Sequence, residues 1–384
     1  MIAGGESWED AARTAEDAVG AVVRRIRGLR LGVAAKKTEA VFFHRREPPP
    51  RGLSLRVGGE IVPVGSELRY LGLTLDPKWR FRAHFRAVAT RMEGMAASLA
   101  RLQPNLGGPS ASVRRLFHGV VRSVALYGAP IWAERAVADR FIRSQLHRAE
   151  RRSVTRVVRG YRTISHAAAT VLAGVPPIEF AALAHAEVYR RVRGVRADRG
   201  DAPLEARVRA MARRQSRRLA LEEWQRSLLP AAGGRAVEAI QPVLPQWVGR
   251  SWGGLTFRVT QVLTGHGCFG DYLCRIGRER TTECQHCGDP RDSAQHTLAE
   301  CAAFGVQRGV LVDKIGADLS LPAVVAAMVR EREAWAAVVS FCESVMLAKE
   351  TAERERRGED GDGPVRRRTR RRRRTPPNID DLLR

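Results

Sequence analysis

The chain has 384 residues, more than a single hydrophobic core usually holds, so at least two domains are expected. Its 66 lysine and arginine residues outnumber 41 acidic ones and give a net charge of +25, which favours a polyanionic partner. No apolar run approaches the roughly 20 residues of a membrane span, and the acidic start argues against a secretory signal. Only five of the cations are lysine, however, and an arginine-rich composition also arises from coding bias in a merely basic protein.

The predicted elements begin with an amphipathic helix over residues 8–31. The segment KKTEAVFF then predicts a short apolar strand, because it contains several residues that favour strands. Two alternating runs in LSLRVGGEIVPV predict a hairpin around the Gly-Gly pair. A further strand, LRYLGLTLD, ends before Pro77, and these strands form the only sheet that the sequence indicates.

The apolar pattern becomes helical from about residue 81. It predicts helices over 81–102, 110–126, 136–158, 164–173, 178–218, 304–315 and 321–357. Between them, residues 219–279 are rich in tryptophan and proline and predict a linker region. Trp224, Trp247 and Trp252 either pack within that region or stack on unpaired bases.

Four residues at short fixed spacing, Cys284, Cys287, His296 and Cys301, predict a structural zinc site. Their pattern, Cys-x2-Cys-x8-His-x4-Cys, supplies three thiolates and one imidazole, which suit a closed tetrahedral zinc shell. Gly288 follows the first pair and permits the tight turn that lets both sulfurs face one ion. Four protein ligands leave no open position, so this zinc is expected to hold the fold rather than activate water.

Two alternatives to this ligand set stay open. The spacing can arise by accident in a chain with six cysteines, and His286 can replace His296, although it would crowd the loop. Cys268 and Cys274 lie just upstream and are expected to pack rather than bind metal. Without an export signal the thiols should be reduced, which favours a metal over a disulfide.

Three segments occur in an order that resembles the C-terminal part of the pol polyprotein of non-LTR (LINE-type) retrotransposons, especially those of insects. They are KKTEAVFF, LRYLGLTLD and LTGHGCFGDYLCRIG, the last leading into the cysteine–histidine motif. The resemblance runs from about residue 8 to about residue 350 and is most specific in LTGHGCF and DSAQHTLAEC. It implies the end of a reverse transcriptase palm, a helical thumb, a basic connector and a zinc knuckle.

The pattern and the resemblance together predict an α+β fold that is mostly α, with a small antiparallel hairpin patch. Six regions are expected: the palm end with a primer-grip-like hairpin at 1–80, the helical thumb and connector at 81–218, the linker at 219–279, the zinc knuckle at 280–305, the C-terminal helices at 306–357, and a disordered arginine-rich tail at 358–384.

The resemblance assigns possible roles to residues of the palm end. Lys37 matches the family's palm lysine, a leaving-group acid in the intact parent, although here a strand-end lysine that contacts solvent or phosphate is the better interpretation. Tyr70, Leu71 and Gly72 match the primer grip. Gly72 would let another backbone or nucleic acid approach closely, whereas Tyr70 fits a core position equally well.

An arginine-rich helical face is a second candidate for nucleic-acid binding. Arg213, Arg214, Arg217 and Arg218 present guanidinium groups that suit phosphate oxygens and would follow a backbone without reading bases. The alternative is a solvated face inflated by the arginine-rich composition. The arginine run at 366–374 predicts either a nuclear address or an electrostatic tether, so a nuclear location is expected.

One departure from the family pattern limits the expected activity. The family's polymerase holds two magnesium ions with an early palm aspartate and a Tyr-x-Asp-Asp turn, and this sequence contains neither. The pair Asp380–Asp381 stands in the predicted tail and lacks a strand–turn–strand context. We therefore expect a truncated segment without the family's N-terminal endonuclease, inactive as a polymerase by itself, with magnesium needed only in the intact parent.

The leading hypothesis is a C-terminal segment of an RNA-directed DNA polymerase that carries out target-primed reverse transcription. This segment would bind element RNA, target DNA and zinc, with no membrane and no small-molecule substrate. Two alternatives stay open: a co-opted zinc-knuckle RNA-binding protein, and a pseudogene product without function.

Overall fold

A computed structural model describes residues 1–44, 48–199, 206–228 and 234–358. Helices make up 65% of the structure, and two small antiparallel hairpins lie near the N-terminus. The predicted class, α+β with mostly helical content, is therefore confirmed.

The N-terminal helix α1, Trp8–Gly28, packs on the first hairpin. Its first turn is capped by Ser7, whose hydroxyl oxygen accepts a hydrogen bond from the backbone N–H of Asp10 at 3.1 Å. Val23 is the buried contact on the helix and joins Val57 of the hairpin in a small separate core. The predicted helix is thus present and ends at Gly28.

The strand predicted for KKTEAVFF is wrong. Ala35–Lys37 form one turn of 3₁₀ helix, and in the described residues only an isolated bridge pairs Ala40 with Val64. The Glu39 carboxylate accepts a hydrogen bond from the backbone N–H of Arg69 at 3.0 Å. This side-chain bond attaches the segment to a neighbouring strand, and no backbone ladder forms there in the described residues. The apolar composition of KKTEAVFF was therefore not enough to produce a strand.

Two hairpins occupy residues 54–75, formed by β1 (Ser54–Val57), β2 (Glu60–Pro63), β3 (Leu68–Tyr70) and β4 (Leu73–Leu75). The first confirms the predicted turn at the Gly-Gly pair. The segment LRYLGLTLD, predicted as one strand, is instead the second hairpin. Leu71 and Gly72 adopt φ angles of 47° and 83°, which fit a tight two-residue turn between β3 and β4. The hairpins are separate two-stranded sheets.

A helical bundle follows, with α2 (Arg82–Ala100), α3 (Ala111–Leu126), α4 (Ala129–Ala138), α5 (Arg140–Val157), α6 (His166–Ala173), α7 (Ile178–Arg199) and α8 (Ala206–Ser227). The helix predicted over 136–158 is divided at Asp139, whose backbone is extended. Its carboxylate accepts the N–H of Phe141 at 2.8 Å and caps α5. Pro130, expected to break a helix, lies in the first turn of α4, where proline is tolerated.

The second half contains α9 (Arg235–Ile240), α10 (Leu244–Gly249), α11 (Phe257–Thr264), α12 (Gly270–Arg275), α13 (Gly305–Ile315), α14 (Leu321–Arg330) and α15 (Arg332–Arg356). The predicted helix over 321–357 is broken at Glu331, where the backbone is extended. Trp224 and Trp247 are each 1% exposed and belong to the largest core. They pack, and therefore do not present their rings to bases.

Two large cores organise the chain. One joins β4 with helices α2 to α5 and α7, and includes Phe85 and Trp132. The other extends from the end of α5 to α15 and includes Cys284 and Cys301, so the predicted metal site lies inside a core.

No single helix in the described ranges is long and apolar enough to cross a membrane. One bent pair, His166–Ala173 with Ile178–Val195 of α7, is long and apolar enough when the two helices are taken together.

A buried polar network around Glu150 joins α3, α5 and α6. His166 Nε2 lies 2.9 Å from one carboxylate oxygen, and Arg122 Nε and His118 Nε2 lie 3.5 and 3.7 Å from the other. His118 Nδ1 is 2.9 Å from the Ser153 hydroxyl. Burial alone would raise the pKa of Glu150, but the neighbouring Arg122 and imidazoles lower that pKa to about 2. Burial lowers the pKa of His118 to about 4.

Acid is expected to destabilise the fold through His118. The folded chain keeps this imidazole neutral down to a pKa of about 4, whereas unfolding restores the ordinary value of 6.5. The contribution of the neutral His118 to the free energy of unfolding is therefore complete above pH 6.5. As the pH falls towards 4, this free energy decreases by on the order of 3 kcal/mol. The free energy of unfolding, measured in urea across this pH range, should decrease less for His118→Gln than for the wild type.

The matched control is His44→Gln, which removes a histidine outside the network beside Trp8. Its stability should follow the wild-type pH dependence, because all other acid-sensitive groups are shared. Identical pH dependence in the wild type and His118→Gln would contradict the assignment.

Candidate metal centre

The first ligand pair is held by a tight backbone turn between α12 and the following segment. The N–H of Gly288 donates to the carbonyl of Cys284 at 2.8 Å, and the N–H of Cys284 donates to the carbonyl of Asp289 at 2.7 Å. Gly288 has a φ of 76°, which favours glycine, so its place in the motif has a backbone reason. The turn places Cys284 inside the core and leaves Cys287 nearer the solvent.

The second pair is set by a short π-helix, His296–Glu300. The N–H of Cys301 donates to the carbonyl of His296 at 2.8 Å, an i to i+5 bond that places both side chains on one face. The N–H of His296 donates to the Ser293 hydroxyl at 2.9 Å and fixes the start of the turn. Such π-turns occur mainly at functional sites, because they cost regular helical hydrogen bonding.

The four side chains converge on one point. One ligand atom from each of Cys284, Cys287, His296 and Cys301 lies within 4.8 Å of the other three. The sulfurs of Cys284 and Cys301 are 3.8 Å apart, and Cys287 Sγ is 3.3 Å from His296 Nε2. Tetrahedral zinc with bonds of about 2.3 Å to sulfur separates two sulfurs by roughly 3.8 Å, so the spacing fits that ion. The group could hold a metal ion such as zinc.

The thiols differ in acidity. Burial raises the pKa of Cys284, and burial together with the Cys287 thiol raises the pKa of Cys301 to about 12. Burial also opposes ionisation of Cys287, but hydrogen bonding from the backbone at Asp289 and from neighbouring thiols lowers its pKa to about 7. A cation in the centre of the group would favour the thiolates, so metal binding would release protons.

A buried ion pair attaches the metal centre to α15. Lys349 Nζ lies 2.8 Å from both carboxylate oxygens of Asp292, and these side chains are 3% and 7% exposed. Asp292 also accepts the N–H of Gly270 at 2.9 Å and the Thr297 hydroxyl at 3.3 Å. Arg308 donates to the carbonyls of the π-helix segment, including that of Cys301. These partners orient the loop that carries the ligands.

These supporting residues were not found from the sequence. Asp292 stands within the DSAQH segment, and Lys349 is one of only five lysines and follows the apolar run VMLA in α15. A lysine at a core-facing position signals a buried partner, although the sequence does not say which acid it meets.

The alternative ligands lie outside the group. His286 packs against Phe304 with ring centroids 5.1 Å apart. Cys268 donates a hydrogen bond to Glu353 at 2.9 Å, and Cys274 lies near the Arg280 carbonyl. In the described part of the chain, no second cluster of three or more such side chains could hold a metal ion.

The palm-end candidates lie apart from the metal centre. Lys37 is exposed in the 3₁₀ turn before the first hairpin. Tyr70 and Leu71 are 59% and 72% exposed at the tip of the second hairpin. Tyr127, which sequence reasoning missed, donates its hydroxyl to the Leu71 carbonyl at 2.8 Å and packs its ring against Gly72. A core position for Tyr70 is therefore wrong, and Gly72 permits the close approach of an aromatic ring.

The arginine candidates lie on α8, where Arg213, Arg214, Arg217 and Arg218 are all exposed. Arg218 also lies 3.5 Å from Glu222 in a surface ion pair. The run at 366–374 and the pair Asp380–Asp381 lie outside the described residues.

A helical core that encloses a Cys₃His group defines the class of site, and two hairpins lie in other cores of the chain. Comparisons with known proteins point to one source of this arrangement. The chain is 26% identical over 362 residues to a retrovirus-related Pol polyprotein from type-1 retrotransposable element R1 4 of Nasonia vitripennis, covering 89% of this chain and 91% of that protein. It is 27% identical over 335 residues to a putative 115 kDa protein in type-1 retrotransposable element R1DM of Drosophila melanogaster. No family model and no solved structure matches.

This chain is thus a distant homologue of the Pol polyproteins of insect R1 non-LTR retrotransposons, and the suspected resemblance is confirmed. The coverage of the relatives differs greatly. The matched region takes up 84% of this chain but only 32% of the Drosophila protein, and 27% of a related R1 Pol polyprotein from Bradysia coprophila.

The four-residue group predicts one metal ion per chain. Cys287→Ser should lower the zinc content of the purified protein well below one equivalent, because serine is a poor zinc ligand. The measurement is elemental analysis against protein concentration. Cys274→Ser is the matched control, since it removes a nearby thiol that lies outside the group, and it should keep the wild-type content. Equal zinc in both variants would refute the ligand assignment.

The buried ion pair predicts a large cost when one partner is removed. Lys349→Met should lower the free energy of unfolding by about 3–5 kcal/mol, because it leaves the Asp292 carboxylate buried without its cation. Denaturant unfolding of the zinc-loaded protein measures this loss. Lys314→Met, the same substitution at an exposed position, should change stability little. Adding Asp292→Asn to Lys349→Met should recover part of the loss, and no recovery would contradict the ion-pair argument.

Proposed function

We propose that this chain acts as the thumb-and-knuckle part of a retrotransposon reverse transcriptase and that it holds RNA and DNA. The observation that carries the proposal is the match to R1 Pol polyproteins over most of the chain, together with the Cys₃His group. The net charge of +25 supports a polyanionic partner. In this proposal the partners are the element's own RNA and its target DNA.

The metal in this proposal is zinc with a structural role. Three thiolates and one imidazole favour zinc over harder ions, and four protein ligands leave no position for a reacting water. The ion would hold the turn at Cys284 and the π-helix at His296 in one arrangement. The nucleic acid would then meet a fixed loop whose exposed side chains contact unpaired bases.

Nucleotide addition would depend on groups that this sequence does not contain. None of the 384 residues forms a Tyr-x-Asp-Asp segment, the pattern expected to hold the two magnesium ions. Lys37 lies exposed in a turn, which supports a phosphate or solvent contact for it. We propose that this chain binds and positions nucleic acid while those carboxylates come from elsewhere, and that the arginine run at 366–374 directs it to the nucleus or tethers it to nucleic acid.

The proposal is tested by binding at several salt concentrations, with fluorescence anisotropy of labelled single-stranded RNA. If the contacts are made to phosphates, the affinity should depend steeply on salt concentration. Each phosphate neutralised should add about −0.7 to the slope of log K against log salt. Deleting residues 366–374, which contain eight arginines, should flatten the slope by several units if the run is a tether.

Zinc removal provides the contrasting control. It should weaken the preference for single-stranded over duplex RNA and leave the salt slope mostly intact, because the knuckle contributes base contacts rather than net charge. A wild-type protein that binds no nucleic acid at low salt would overturn the proposed function.

A further inference from the structure

We propose that an arginine-lined groove, linked to the metal loop through α12, binds the phosphodiester backbone of a nucleic-acid strand, a site that deepens the proposed function and rests on it. The groove, here the arginine groove, has a volume of about 870 Å³ and lies between α2, α5, the loop after α5, and the segment that follows α12. Five arginines line it: Arg151, Arg152, Arg156, Arg162 and Arg278. No aspartate or glutamate is among its lining residues in the described chain.

The inner arginines are fixed by neutral acceptors. Arg151 Nη1 donates to the carbonyls of Arg162 and Ile164 at 2.6 and 3.0 Å, and Arg156 Nη1 donates to the Asn105 side-chain oxygen at 3.2 Å. Carbonyl and amide oxygens orient a guanidinium group without cancelling its charge. The groove therefore presents positioned cations whose field is not neutralised by a carboxylate on its wall.

Further cations stand behind this wall. Arg114 is fully buried and donates to the carbonyls of Pro104, Gly107 and Pro109, and Arg159 donates to the last two of these. Burial, and then the charges of Arg159 and Arg156, lower the pKa of Arg114 to about 10. The main cause is burial, and the neighbouring arginines add to it.

The outer arginines are exposed to solvent, where a ligand can reach them. The side chain of Arg152 is 56% exposed, and its nearest carboxylate, Glu93, lies at 4.0 Å and is closer to Arg148. Arg162 is exposed and has no carboxylate partner among the described residues. Arg278 is half-exposed and only 3.7 Å from Glu353. Fixed inner charges and exposed outer charges suit a flexible polyanion.

The groove continues towards the metal centre. The Thr163 hydroxyl lies 2.8 Å from the Tyr272 hydroxyl and 3.0 Å from His266 Nδ1, which joins the loop after α5 to α12. The first residue of α12, Gly270, is in turn bonded to Asp292 next to the ligands. The wall of the arginine groove and the metal loop are therefore held by the same short helix, α12.

The chemistry favours a nucleic acid over an acidic protein. Guanidinium groups match phosphate oxygens with paired donors, and a nucleic-acid strand supplies one such charge at every residue along the groove. RNA and DNA share this backbone, so both should bind, and contacts to the 2′-hydroxyl would appear only as a preference for RNA.

The test uses the full zinc-loaded chain and labelled oligo-U and oligo-dT of about 12 nucleotides, within the range of single-strand site sizes. Arg152→Ala with Arg162→Ala removes two of the three exposed arginines, leaves Arg278 in its ion pair with Glu353, and spares those that hold the loop. This double variant should bind both oligonucleotides about tenfold more weakly at low salt. Its slope of log K against log salt should be shallower by about 1.4, the sum for two phosphates.

The charge-matched control is Arg330→Ala with Arg332→Ala. Arg332 is the first residue of α15, and Glu353, which lies near the groove, is in the last turn of the same helix. At a rise of 1.5 Å per residue, Arg332 and Glu353 lie about 30 Å apart. This control should bind like the wild type. Arg152→Lys with Arg162→Lys should retain the salt slope, because the charges remain, and an unchanged melting temperature will show that each variant is folded.

Three outcomes would overturn the groove. If the wild type binds and the Arg152/Arg162 alanine variant matches it in affinity and slope, the groove fails while the proposed function stands. If polyglutamate displaces the oligonucleotides at equal charge concentration, the ligand is an acidic protein segment. If neither the wild type nor any variant binds either oligonucleotide, both the proposed function and the groove proposal fail.

Discussion

The buried pair of Asp292 and Lys349 is the constraint on which the second half of the chain depends. Charged groups are rarely buried without a partner, because their desolvation costs several kcal/mol per ion. Here the carboxylate receives both the lysine and the N–H of Gly270, so α15, α12 and the metal loop meet at one point. The position of the loop therefore follows from this pair as well as from its metal ligands.

Helix α15 carries further polar anchors. Arg258 of α11 bonds to Glu343 and Glu350 at 2.8 Å each, and Cys268 bonds to Glu353 at 2.9 Å. These acids and Lys349 recur along α15 at a spacing that places them towards α11 and α12. Helix α15, predicted from the sequence only as part of the C-terminal helices, thus supports the metal region.

The distribution of charge explains why a strongly basic chain can keep a local excess of cations. Many of its carboxylates are used within the fold, as Glu150 is by Arg122 and two histidines, and Asp139 by Arg82. Backbone carbonyls hold the arginines around residues 104–109 instead. Because a carbonyl orients a cation without neutralising it, the excess charge appears at the arginine groove.

The sequence predicted the features that local rules determine. The four ligands, the Gly-Gly hairpin and most helices follow from spacing, turn chemistry and apolar period. Some errors are local, since a two-residue turn divides LRYLGLTLD and extended backbone at Asp139 and Glu331 divides two predicted helices. Other features depend on contacts that are distant in sequence. KKTEAVFF has only an isolated bridge, and its Glu39 side chain bonds to the backbone N–H of Arg69. The packing of Trp224 and Trp247, one of the two interpretations offered, depends on a core formed by helices far apart in sequence.

The same distinction separates the metal ligands from the arginine groove. The ligands lie within eighteen consecutive positions, 284–301, so their spacing alone defines a chemical site. The groove is formed by α5 and by residues more than a hundred positions later, which meet through Thr163 and Tyr272. The chain has so many arginines that no local pattern distinguishes these five. They are distinguished only in three dimensions, because the fold places them together and brings carboxylates only to Arg152 and Arg278, at 4.0 and 3.7 Å.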